Sequence, residues 1–183
     1  MNQKRNRENL EKMMLVILIG SLAIVLGIIE SMIPIRLPIP GAKLGLANIM
    51  IVIGLYYLDA KDMLTVIILK TFLTTLLMGT FSMFAYGFVG ALLSYMGMML
   101  AFKLLGNKMS LLGISILGGI LHNVGQIIVA MILIKTKAIA YYMMFLLPLG
   151  AITGIAVGIV AKLVMPRLNE FDLFKTHYKL KEV

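Results

Sequence analysis

The strongest constraint on this chain is uninterrupted apolar sequence. The stretch MMLVILIGSLAIVLGIIE, Met13 to Glu30, carries no charge before its last residue, and comparable runs recur as far as residue 164. At 1.5 Å of rise per residue, about 20 such residues cross a hydrocarbon layer ~30 Å thick. With 61% of 183 residues hydrophobic and 14% charged, too little polar surface remains to face water all round. The runs are continuous and rich in Leu, Ile and Met rather than alternating, which argues against a β-barrel. The expected class is an all-α integral membrane protein, with residues 1–183 as one domain.

Reading apolar runs against breakers gives six predicted transmembrane helices, over 12–33, 44–58, 62–79, 82–105, 110–134 and 138–164. The first follows a basic start, yet no small-residue cleavage site ends it, so it reads as a retained helix. The second is short, since about 15 residues rise only ~22 Å. The connections LDAKD, GTFS, GNKMS and KTK are brief and imply antiparallel neighbours. Lys and Arg set the orientation. With the amino terminus inside, Lys4, Arg5, Arg7, Lys12, Lys61, Lys103, Lys108, Lys162, Arg167, Lys175, Lys179 and Lys181 lie inside. Arg36, Lys43, Lys135 and Lys137 lie outside. Both termini are therefore expected in the cytoplasm, as a basic segment 1–11 and a tail 166–183 whose Phe171, Leu173 and Phe174 fit a short surface helix.

The formal charge of +9 follows this topology, without the interleaved aromatics of a nucleic-acid surface. The absence of Cys excludes disulfides and thiol chemistry. No phosphate loop, HExxH, GxSxG or paired-aspartate motif occurs, so neither catalysis nor a cofactor is expected.

Polar side chains inside a membrane are expensive and mark function by default. Glu30 ends the first predicted helix and Asn48 starts the second. Lys70 falls mid-way along the third with Thr71, Thr74 and Thr75, and His122, Asn123 and Gln126 cluster on the fifth. With the amino terminus inside, nearly all lie at the midplane or beyond it, as a pocket opening outward requires. Glu30, Lys43, Asn48, Lys70, Tyr86, His122, Asn123 and Gln126 are the candidate substrate contacts, with Phe81 and Tyr141 as aromatic walls. Glu30 and Lys70 either pair with each other or meet the solute. Lys43 and Lys70 against one Glu30 suit an anionic group. Small residues form further stripes: Gly20, Ala23 and Gly27 on the first helix, a candidate docking face, and Gly87, Gly90, Ser94 and Gly97 on the fourth. Gly150, Gly154 and Gly158 on the sixth suit close packing.

PGAKLGLANI (Pro40 to Ile49), GTFSMFAYGFVGALLS (Gly79 to Ser94), GGILHNVGQ (Gly118 to Gln126) and PLGAITGIAVG (Pro148 to Gly158) together resemble the Gx transporter family, also labelled heptaprenyl diphosphate synthase component I. That family resembles the substrate-binding S components of energy-coupling factor (ECF) transporters, small six-helix proteins of the bacterial cell membrane. The resemblance implies an S-component-like bundle that captures a vitamin-like solute. It also implies that the Ala23 and Gly27 stripe docks to a shared transmembrane subunit and its ATPases, with Gly standing in for one Ala. The synthase label implies instead an accessory partner in long-chain prenyl diphosphate synthesis. The two ideas meet if the solute is a quinone or isoprenoid precursor.

Overall fold

The computed structural model describes residues 2–33, 45–78, 80–105 and 108–178, with side chains from residue 6 onward. Lys43 and the proline-rich stretch 34–44 lie outside the described residues. Among the described residues the chain forms α1 Asn2–Met32, α2 Asn48–Tyr57, α3 Ala60–Met78, α4 Phe81–Leu105, α5 Leu111–Ile134, the 3-10 helix Lys137–Tyr142, α6 Met143–Leu168 and α7 Asp172–His177.

Four units are long and apolar enough to cross a membrane: Asn6–Met32, Phe81–Leu105, Leu111–Ile134 and Lys137–Leu168. The other two of the six expected spans do not meet that description. Helix α3 has 19 residues but carries Lys61, Asp62 and Lys70. Helix α2 has only ten residues, all of them buried. It runs through the middle of the bundle against α1, α3, α4, α5 and α6. The run 44–58 is apolar because it is core rather than because it faces lipid. Helix α1 starts well before residue 12, because its first charged turns favour helix and Arg7 bonds Glu11 one turn on at 3.0 Å.

Backbone closeness organises the second half. Helices α5 and α6 cross so tightly that a methyl group on Gly119 would lie 2.2 Å from the Gly150 carbonyl oxygen. One on Gly154 would meet the Ser115 carbonyl at 2.7 Å. Ser115 Oγ uses the approach to donate to Gly154 O at 2.7 Å, a standard use of small residues in membranes. Gly125 of α5 likewise faces Gly90 of α4.

The ends of the bundle differ in chemistry. At one end, Lys12 of α1 pairs with Asp59, and Tyr57 donates to Asn169 Oδ1 at 2.8 Å. Beneath α2, Phe174 and Tyr178 pack on Tyr57 with ring centres 5.2 and 5.3 Å apart. Tyr56 meets Phe102 edge-on at 5.2 Å. The tail after Pro166 thus continues α6 and then forms α7 against the core. The opposite end, where α1 stops and α2 starts, holds the polar groups.

Candidate functional site

Four helices bring polar residues to that end. Glu30 closes α1, Asn48 opens α2, Lys70 and Thr74 stand one turn apart on α3, and His122 and Gln126 one turn apart on α5. All six are buried, and all six line one cavity together with Gly27, Gly45, Thr71 and Gly87. The space open to water-sized spheres there is about 30 Å³, enough for roughly two waters. A larger open hollow of about 300 Å³ lies at the opposite end beside Asn9, Lys12 and Asp62. The buried polar chemistry is not there.

Hydrogen bonding inside the cavity is incomplete. The Glu30 carboxylate accepts the Gly45 N–H. Gln126 Nε2 lies 3.0 Å from His122 Nε2, which accepts if the ring proton sits on Nδ1. Thr71 donates to Ile67 O, one turn back, at 2.7 Å. Among the described residues, five buried side-chain atoms have no hydrogen-bond partner: Asn48 Oδ1, Thr74 Oγ1, Ser94 Oγ, His122 Nδ1 and Gln126 Oε1. Four of the five belong to residues of this cavity. Each orphaned buried group costs about 1–3 kcal/mol, so such a cluster points to a site built to be filled. Glu30 and Lys70 line the same cavity.

The remaining expected site residues go elsewhere. Asn123 donates its amide to Leu146 O at 2.5 Å, in the first turns of α6, just before the helix-breaking Pro148. Gly150 makes room for it, since a methyl there would lie 2.8 Å from Asn123 Nδ2. The amide therefore joins α5 to α6 and does not line the cavity. Tyr86 is buried in a separate apolar cluster with Ile127, Val129 and Ile139. Phe81 and Tyr141 are 80% and 84% exposed, facing out from the ends of their helices. Gly20, Ala23 and Gly27 face α3 within the chain: Ala23 is fully buried, and a methyl on Gly27 would meet Thr74 Oγ1 at 2.9 Å. The surface of α1 left uncovered is the opposite, large-residue one, with Ile17, Leu22, Val25 and Ile29.

Lining residues that the sequence reading did not name as contacts are Gly27, Gly45, Ala47, Thr71, Thr74, Thr75, Met83 and Gly87. Thr74 had a signal, its four-residue spacing from Lys70. Gly27 and Gly87 had only the small-residue stripes. Among the described residues no three His, Asp or Glu side chains gather to hold a metal ion.

Neither a curated protein nor a solved structure matches the chain. The family described as heptaprenyl diphosphate synthase component I matches residues 19–164, a span that takes in every residue of the cavity. The chain is thus an apolar, all-helical membrane protein that belongs to the heptaprenyl diphosphate synthase component I family.

Proposed function

We propose that this protein is a substrate-binding subunit of the S-component type, taking up a small solute through the bacterial plasma membrane with energy from a separate ATPase module. The observation that carries the reading is the cavity at one end of the bundle, where Asn48, Thr74, His122 and Gln126 each hold a buried atom without a partner. Helix association alone needs polar groups that bond one another; these leave capacity over. In this reading α2 and α3 complete six passes, both termini are cytoplasmic and the cavity faces outward. Lys70 would meet a negative group of the solute, and Glu30 would hold the rim through Gly45. The chain itself would catalyse nothing. A cavity of about 30 Å³ holds roughly two waters, so in this reading a solute enters only if the cavity widens.

The family description favours a second reading, a noncatalytic membrane component of a heptaprenyl diphosphate synthase. Affinity purification from native membranes separates the two. Recovery of a shared transmembrane subunit with ATPases supports uptake. Recovery of a prenyl synthase whose product disappears on deletion of this chain supports the accessory role and would sink the first reading.

A further inference from the structure

Behind Asn48 the polar cavity is followed by a smaller one. It is lined by Gly45 and Asn48, which also line the first, and by Ser94 of α4, Ser115 and Gly118 of α5 and Thr153 of α6. Its open space is about 10 Å³, room for one non-hydrogen atom and its hydrogen. Among the described residues no titratable side chain lines it.

Its hydrogen-bonding capacity is lopsided. Ser115 and Thr153 have committed their protons to Gly154 O and Gly150 O, at 2.7 and 3.1 Å, and their oxygens can only accept further bonds. Asn48 Oδ1 is a buried acceptor without a partner, and the fully buried Ser94 Oγ also has none. The Ser94 O–H and the Asn48 amide N–H groups stand beside these acceptors. A neutral group that both donates and accepts satisfies this set; a hydrocarbon does not.

We infer that the solute site is bipartite: Asn48 divides a charged chamber at Lys70 and Glu30 from a neutral chamber at Ser94, which takes one hydroxyl or N–H of the same solute. The inference rests on the solute-binding reading and narrows it. The substrate class becomes a compact, hydroxylated or amino-bearing polar molecule, and an isoprenoid chain is excluded from the inner chamber.

The test uses the full chain in lipid nanodiscs. Wild type, Ser94→Ala, Ser94→Cys and Gln126→Leu are incubated with a low-molecular-weight extract of bacterial cells and washed. Native mass spectrometry then reads the retained solutes, and thermal unfolding reads stability. The expected result is a retained species with at least one O–H or N–H donor, whose occupancy falls about tenfold in Ser94→Ala, the loss of one well-placed hydrogen bond. Ser94→Cys keeps the volume while weakening the bond, so it must lower retention even if alanine destabilises the fold. Retention lost in Gln126→Leu but unchanged in both Ser94 variants overturns the inner chamber and leaves solute binding standing. Unchanged retention with a lowered Tm in Ser94→Ala assigns the chamber to a structural water, and also overturns it. No retained solute, or equal retention in all four proteins, overturns both readings.

Discussion

The Glu30 carboxylate accepts the backbone N–H of Gly45, 15 residues further along the chain. One charge-assisted hydrogen bond thus joins the end of α1 to the approach of α2, at the rim of the cavity. Gly45 is itself constrained. Its φ is 91°, a left-handed conformation that residues with a Cβ rarely adopt, and a methyl there would lie 2.7 Å from Asn48 Nδ2.

Gly45→Ala is therefore expected to cost about 1–3 kcal/mol through backbone strain, and to displace Asn48. Glu30→Gln keeps the shape and loses the charge, at about 1 kcal/mol. Thermal unfolding in detergent checks both. A Tm for Gly45→Ala equal to wild type would contradict the strained geometry.

Asn123 and Gln126 are three residues apart and should respond in opposite ways. Asn123→Ala removes the tie from α5 to α6 and leaves the Leu146 carbonyl without that donor, a loss of about 0.6–2 kcal/mol. Gln126→Leu removes a buried orphan oxygen but also the Nε2 contact with His122, so the two effects offset and stability should change little while solute retention falls. Paired measurements of Tm and retention decide it; a Tm loss confined to Gln126→Leu would reverse the two assignments.

Gly27→Leu distinguishes internal packing from docking. The added side chain has to displace Thr74, whose Oγ1 stands 2.9 Å from the first added carbon. The isolated protein should lose about 1–3 kcal/mol from overpacking. A variant as stable as wild type that fails to join a partner would show the face to be an external one.

Topology can be read with single cysteines, because the chain has none of its own. Under the proposed orientation, Lys137→Cys should react with an impermeant maleimide on intact cells. Lys61→Cys and Lys175→Cys should react only after lysis. Outside labelling at Lys61 would remove the six-pass arrangement.

What the sequence made legible follows from cost. Glu30, Asn48, Lys70, His122 and Gln126 were visible because a polar group in an apolar helix needs a reason, and the structure brings all five to one cavity. Direction was not visible. Asn123 turns to α6 because the Leu146 carbonyl and the gap left by Gly150, both on another helix, receive it. Phe81 and Tyr141 sit at helix ends, where only the neighbouring elements decide which way a ring faces. The stripe Gly20, Ala23, Gly27 announces close packing equally well for a helix inside or outside the chain. Likewise, the apolar run of α2 reads the same whether lipid or protein surrounds it, and its ten-residue length depends on where Gly45 lets the chain turn.

That short central helix has a mechanical consequence. Its ten residues rise about 15 Å from Asn48, between the two chambers, to Tyr57, held by Asn169 and Phe174. A hydrogen-bonded rod of this length does not compress, and all ten of its residues are buried. Movement of Asn48 along the rod is therefore delivered to Tyr57 at the far side of the bundle. Under the solute-binding reading, filling the site should therefore move α7, which a fluorophore at Lys175 would register as a shift.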